Sequence, residues 1–359
     1  MSLTLNHVSK AYGRGTVRAV KDLDLQIDDG EFVALLGSSG CGKTSTLRMV
    51  AGFEEVTEGS ITLAGRRIDG LAPARRNVAM AFEGYALYPP LTIEDNIGFG
   101  LGHGKSSIDP KQRVREVAEL LEIGPILKRK PAGLSGGQQQ RVSLARALAR
   151  DADLHLLDEP MGQLEPQLRA ILRGRVKALT KARGLTSVLV THDQTEANAM
   201  ADRIAVMEGG VLQQYGTAAE LRDRPANLFV ATFLGEPPMN AMPGVVDGQG
   251  VLLSGEDRLR AALPGLTLPA AGTEVVLGVR PHAVKLGRGD WQGTVISNHW
   301  LGDEAHVALD VGGRVVVAVA HERVAAHTGS VVPLGFAPES MHLFDAQTGR
   351  ALMHGASRA

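Results

Sequence analysis

Along residues 1 to about 235, short runs of consecutive apolar residues alternate with longer stretches whose apolar positions return every three or four residues. The runs 32–36, 78–82, 154–157, 187–190 and 204–207 have the length and apolar content of buried strands. The stretches 43–51, 111–122, 137–149 and 165–183 have the spacing of helices. Strands alternating with helices in this way predict an α/β domain around a mostly parallel sheet. Pro237, Pro238 and Pro243 then punctuate the chain, and the pattern changes. From about 245 onward short β-type runs follow one another at 274–279, 293–296, 305–309, 314–318 and 331–336, with turns such as Val311-Gly312-Gly313 between them. Helical spacing is nearly absent there, which predicts a small all-β domain, a barrel or a sandwich. The predicted organisation is a domain over 1–235, a linker over 236–244 and a β domain over 245–359.

Composition narrows the class. At 359 residues and 44% hydrophobic content the chain can build two sizeable cores. Its 38 Lys and Arg residues against 39 Asp and Glu argue against nucleic acid as the main partner, which calls for a basic excess. A single cysteine, Cys41, makes no internal disulfide, in keeping with a reducing cytoplasm. The first residues carry no charged head followed by an apolar run, so no signal peptide is expected. No uncharged apolar run approaches the roughly 20 residues that cross a bilayer, so any membrane role is expected to come through a partner.

The strongest local pattern is Gly37-Ser38-Ser39-Gly40-Cys41-Gly42-Lys43-Thr44, which follows an apolar run and opens a helical stretch at Ser45. This is the order of strand, glycine-rich loop and helix that holds phosphate. The glycines let backbone N–H groups turn toward phosphate oxygens, and the helix N-terminus adds its dipole. Lys43 supplies a point charge to the outer phosphates and Thr44 a hydroxyl to Mg²⁺. A second pattern, 154–160, is an apolar run that ends in Asp158 and Glu159 before Pro160. A carboxylate at such a strand end holds Mg²⁺, a role assigned to Asp158, and Glu159 is placed to polarise an attacking water. The strand-like segment ending Thr191-His192-Asp193 puts His192 in position to contact the γ-phosphate and orient that water. His155, inside the apolar run, reads as a structural histidine.

A third pattern, Leu134-Ser135-Gly136-Gly137-Gln138-Gln139-Gln140-Arg141, lies between the other two. It resembles the signature motif of ABC-transporter ATPases. Further segments carry the resemblance over nearly the whole chain. Gly84-Tyr85-Ala86-Leu87-Tyr88-Pro89 resembles the loop linking the ATP site to a transmembrane partner. Residues 202–207 and 224–227 are similar to segments that close the ATPase domain of solute importers. Gly235-Glu236-Pro237-Pro238-Met239-Asn240, Gly278-Val279-Arg280-Pro281 and His342-Leu343-Phe344-Asp345 resemble the junction, start and end of the regulatory domain in carbohydrate importers of the maltose and glycerol-phosphate type.

The resemblance implies an α/β P-loop NTPase cassette followed by an OB-like barrel, and an ATPase that couples ATP hydrolysis to import of a sugar, polyol or polyol phosphate. It implies ATP and Mg²⁺ at Gly37 to Ser45, with Tyr12 stacking on adenine and Thr44, Asp158 and Glu83 around the metal. The turn Leu134 to Gln138 then faces ATP bound to an opposite ATPase subunit. The implied partners are two transmembrane permease subunits, an extracytoplasmic solute-binding protein and a second ATPase, identical or related, with the chain peripheral on the cytoplasmic face of the membrane and no nucleic acid bound. A soluble regulatory ATPase and a polyamine or anion importer stay open as alternatives. Three places depart from the family pattern: Glu83 stands where glutamine is usual, Met161-Gly162-Gln163-Leu164-Glu165 where leucine-Ser-Ala-Leu-Asp is usual, and His282 where glutamate is usual. Glu83 keeps a hard oxygen ligand but, when ionised, donates no hydrogen bond.

Overall fold

Every residue of β3 (Phe32–Gly37) is buried, and that total burial sets the strand in the middle of a sheet. The computed structural model describes residues 2–13, 15–101, 109–254, 259–263 and 267–355. The chain divides into two units, Met1–Ala218 and Ala219–Ala359.

In the first unit β3 lies between β8 (Ser187–Thr191) and β9 (Arg203–Glu208), parallel to both. Outward from β8 come β7 (Leu154–Asp158) and β6 (Val78–Ala81), also parallel. β10 (Val211–Gly216) closes the other edge antiparallel to β9. Each expected parallel strand is present within a residue or two of its expected limits. A second, antiparallel sheet joins β2 (Val17–Ile27), β1 (Leu3–Tyr12), β4 (Glu58–Leu63) and β5 (Arg66–Arg67). Leu23, Leu25 and Ile61 of that sheet share one core with Val33 and Leu35 of β3 and with Leu47 and Met49 of α1 (Lys43–Ala51). The remaining helices are α2 (Ile93–Gly98), α3 (Pro110–Leu120), α4 (Gly136–Ala149), α5 (Pro166–Ala182) and α6 (Gln194–Met200). Parallel strands all leave the sheet on one side, so the ends of β3, β6, β7 and β8 deliver the phosphate loop, Glu83, Asp158 and His192 to one edge.

Arg76 pins the exit of α1. It is 2% exposed, and its guanidinium donates to Met49 O at 2.7 Å, Val50 O at 3.1 Å, Leu71 O at 2.8 Å and Asp69 O at 2.9 Å. A cation here meets the last carbonyls and the negative dipole end of α1 together. Arg76→Ala strands these acceptors in the interior. It should lower the unfolding free energy by about 2–4 kcal/mol, read as the urea midpoint of the ATPase core. An unshifted midpoint would contradict the pinning role.

The boundary falls at the first residue of α7 (Ala218–Asp223), and the second unit continues through α8 (Leu228–Phe233) into strands. One sheet runs β13 (Arg260–Ala262), β12 (Gly250–Leu253), β11 (Asn240–Val246), β14 (Glu274–Val279), β19 (Met341–Asp345), β20 (Ala351–His354). The other runs β17 (Val315–Ala320), β16 (Ala305–Asp310), β15 (Lys285–Trp300), β18 (Val331–Gly335). Leu277, Val279 and Leu343 from the first meet Val295, Val307, Leu309 and Leu334 from the second in a single core. Arg280, after β14, donates to the carbonyls of Ala231 and Leu234 at the end of α8, which fastens that helix to the β layers of this unit.

Candidate functional site

The phosphate loop is shaped by close approaches that admit only glycine. A Cβ at Gly42 would stand 2.5 Å from Ala19 O, and Gly42 has φ 103°, the left-handed region. Gly42 is also the N-cap of α1, and no side chain caps that end. The first amides of a nine-residue helix are therefore presented to the loop. Lys43, 7% exposed, turns back over the loop, its Nζ donating to Gly37 O at 2.7 Å and Ser38 O at 2.9 Å. Cys41 Sγ lies 3.6 Å from the same Nζ. Ser38, Ser39 and Gly40 are exposed along the rim, and Thr44 and Ser45 are half-buried at the helix start. Ser45 Oγ is 3.2 Å from the Tyr12 hydroxyl, so the exposed aromatic ring stands beside the loop, with Lys10 Nζ 4.8 Å from its centroid.

Asp158 ends β7 and is buried, and its Oδ1 has no hydrogen-bond partner among the described residues. Burial first, then the carboxylates of Glu83 and Glu159, push its carboxyl up to about 6, while Arg48 and Lys43 pull it back. The orphaned buried oxygen of Asp158, with the charges of Glu83 and Glu159 acting on it, suits a divalent cation, which would take that oxygen as ligand and relieve the mutual repulsion. Glu159 adopts φ 46°, unusual for a residue with a side chain. Its N–H donates to Val190 O at 2.9 Å, and its carbonyl accepts from Gln140 Nε2 at 2.8 Å. Held at both ends, it places Oε1 3.0 Å from His192 Nδ1.

The turn at the start of α4 is fixed by a reciprocal cap. Gln138 N–H donates to Ser135 Oγ at 3.3 Å, and Ser135 N–H to Gln138 Oε1 at 3.1 Å. Gly137 packs where a Cβ would lie 3.1 Å from Gln163 O, and Gly136 lies beside the Tyr85 hydroxyl. No hydrogen bond among the described residues joins Leu134–Gln138 to the phosphate loop. The sequence-predicted residues thus form two groups: Tyr12, the loop through Ser45, Glu83, Asp158, Glu159 and His192 at the sheet edge, and Leu134 to Gln138 at the head of α4.

Sequence reasoning missed the residues that tie these parts together. Gln140 donates to Glu159 O and accepts from Gln163 N–H at 2.9 Å, so α4 is bonded to both ends of the segment after the acids. Arg169 donates to Gly162 O at 3.3 Å, Leu164 O at 3.1 Å and Asp193 Oδ2 at 3.4 Å, joining that segment to the residue after His192. Arg146 donates to Tyr85 O at 3.0 Å and Ala86 O at 2.7 Å, holding a loop in which both residues are left-handed. The contacts of Gln140 and Arg146 run to backbone groups 19 to 61 residues away, and Arg169 reaches the Asp193 carboxylate 24 residues on, none of which a local pattern announces. An apolar groove of about 640 Å³ opens beside Arg146, lined by Phe53, Met80, Phe82, Tyr88, Ile97 and Phe99.

A family profile described as ABC transporter matches residues 20–162. A MalK OB fold domain profile matches 235–284 and a TOBE domain profile 277–344. The chain is 42% identical to the sn-glycerol-3-phosphate import ATP-binding protein UgpC of Ruegeria sp. (strain TM1040), covering 97% of this chain and 98% of that protein. It is 43% identical to the trehalose/maltose import ATP-binding protein MalK of Thermococcus litoralis, covering 94% and 96%. It is 41% identical to the xylose/arabinose import ATP-binding protein XacK of Haloferax volcanii, covering 98% and 95%. A solved dimer of the ATP-binding cassette MJ0796 with ADP and Pi superposes with TM-score 0.55 at 29% identity, over 60% of this chain and 98% of that one.

Proposed function

The chain belongs to the ATP-binding proteins of ABC importers, and from that premise we propose how its residues divide the work of binding, hydrolysing and transmitting. It is an ATPase that binds ATP and drives import, and a sugar or polyol, free or phosphorylated, is the solute class its relatives' names indicate. The observation that carries the assignment of roles is the Glu159–His192 pair beside the unpartnered Asp158, on the edge to which β3 delivers the phosphate loop.

In this reading the amides from Gly37 to Ser45 receive the phosphates, Lys43 exchanges its carbonyl partners for phosphate oxygens, and Tyr12 stacks on the adenine. Thr44, Asp158 and Glu83 hold Mg²⁺, which supplies positive charge against the phosphates when bound. Glu159 accepts a proton from the attacking water, and His192 fixes the direction of its carboxylate. The Ser135 turn, which among the described residues makes no hydrogen bond to its own phosphate loop, serves the ATP of a second ATPase subunit. The groove lined by Phe53, Tyr88 and Phe99 receives a segment of a permease subunit, since it is apolar, open and braced by the same Arg146 that holds the loop after Glu83. Movement at the ATP site reaches the membrane partner through that loop. Residues 1–235 act as the ATPase domain, 236–244 as a linker and 245–359 as a regulatory domain.

In this reading the chain works at the cytoplasmic face of the membrane through its permease partners; no helix among the described residues is long and apolar enough to cross one. Affinity purification of the tagged chain from its native membranes, with mass-spectrometric counting, tests the proposal. Two permease subunits, a solute-binding protein and two ATPases are the expected set. A second, different ATPase would tie Glu83 and the altered 161–165 segment to an asymmetric pair, and two copies of this chain would make them variants of a symmetric one. Recovery without any membrane protein would overturn the importer assignment for this chain.

A further inference from the structure

One buried carboxyl of the first unit takes no part in the chemistry described so far. Glu196, on α6, is 3% exposed, and its Oε1 has no hydrogen-bond partner among the described residues. Burial raises its pKa, with the Thr191 bond opposing that shift and the charge of Asp193 adding to it. Its other oxygen closes a ring around His192. Thr191 Oγ1 donates to Glu196 Oε2, Asp193 N–H donates to Thr191 Oγ1 at 3.0 Å, and Glu196 N–H donates to Asp193 Oδ1 at 3.0 Å. Asp193 is the N-cap of α6, and Glu196 is the third residue of that helix. In an ordinary capping box the Glu side chain accepts directly from the N-cap N–H. Here the Thr191 hydroxyl is inserted between them, so the residues on both sides of His192 are drawn into the cap.

We propose that Glu196 is a positioning residue for ATP hydrolysis, fixing His192 through the Thr191 hydroxyl so that the imidazole stays against Glu159. The inference rests on the roles given above to Glu159 and His192. Packing does not supply this restraint. The His192 side chain is 68% exposed, and a cavity of about 50 Å³, lined by Glu159, Arg169, Thr191, His192, Asp193 and Glu196, leaves room beside it. The contact of His192 Nδ1 with Glu159 Oε1 at 3.0 Å therefore depends on the backbone that carries the imidazole. That backbone is strapped at Thr191 and at Asp193, and Arg169 Nη1, 3.4 Å from Asp193 Oδ2, adds a tie from α5. A carboxylate oxygen is a strong acceptor for a hydroxyl, which is what the buried acid contributes. With an apolar residue in its place the Thr191 hydroxyl loses its acceptor, is free to turn from Asp193 N–H, and the ring opens. Because His192 aims the Glu159 carboxylate in this reading, a loosened His192 slows turnover and leaves ATP affinity in place.

The test measures ATP turnover and ATP affinity of the purified full chain. Glu196→Ala should lower kcat about tenfold while ATP affinity changes by less than about twofold. Glu196→Gln, whose amide oxygen still accepts from Thr191, should lose no more than about threefold. In the His192→Ala background, Glu196→Ala should cost less than about twofold more, since a residue acting through His192 then has nothing left to position. Thr191→Val removes the hydroxyl with little change of shape and repeats the cycle should Glu196→Ala fold poorly. With His192→Ala itself impaired, three results would each overturn the proposal: turnover near wild type in Glu196→Ala, equal loss in Glu196→Gln and Glu196→Ala, or full additivity of Glu196→Ala or Thr191→Val with His192→Ala. Wild-type turnover in His192→Ala would instead overturn the reading of the site beneath it, and the positioning role with it.

Discussion

Glu159→Gln should reduce steady-state ATP hydrolysis by about a hundredfold or more while leaving ATP affinity intact. The substitution preserves shape. The amide oxygen still reaches the position where Oε1 meets His192 Nδ1 at 3.0 Å, and the backbone bonds to Val190 and Gln140 do not depend on the side chain. What disappears is the basic oxygen pair that takes the proton from water. Since the barrier is lowered by that proton transfer and the phosphates are held elsewhere, binding and chemistry separate. Filter-binding or fluorescent-nucleotide titration beside a phosphate-release assay reads both. Hydrolysis within a few-fold of wild type would remove Glu159 from the base role. His192→Ala should fall between the two, because it loosens the carboxylate without removing it.

The difference between what the sequence announces and what only the fold reveals has a physical origin. β3, β7 and β8 are buried on both faces, so each is a continuous apolar run that stands out from its surroundings. β2 buries Val20, Leu23, Leu25 and Ile27, separated by the exposed Lys21, Asp22, Asp24 and Gln26, and a search for runs passes over it. β1 is harder still, because its register shifts between Leu5 and Val8, where His7 takes φ 49°. The helices missed from the sequence, α2, α6, α7 and α8, have six or seven residues, under two turns, too few to establish a period.

The same contrast holds in the site. Gly37 to Thr44 and Asp158-Glu159 are legible because adjacent residues do adjacent chemistry on a strand end. Gln140 and Arg169 are not, because Gln140 acts on backbone groups 19 and 23 residues away and Arg169 on the carboxylate of Asp193, 24 residues away.

Lys43→Ala should weaken ATP binding by about ten- to a hundredfold, the worth of one or two charge-assisted hydrogen bonds. In the structure Nζ is buried against Gly37 O, Ser38 O and Cys41 Sγ, so the lysine braces the loop from within before any phosphate arrives. Phosphate oxygens are stronger acceptors than these carbonyls, and the exchange costs little because the ammonium is already positioned and stripped of water. Alanine removes the charge and the brace together. Lys43→Arg separates them: it restores charge, but its planar head is too large for a pocket closed by Cys41 and Gly37, so affinity should recover only in part. Far-UV circular dichroism and the thermal midpoint show whether the fold survives. An ATP affinity unchanged in a folded Lys43→Ala protein would contradict the phosphate-cradle role. Set beside Glu159→Gln, the pair locates the two steps on opposite sides of the same edge, with one variant failing to bind and the other binding without turnover.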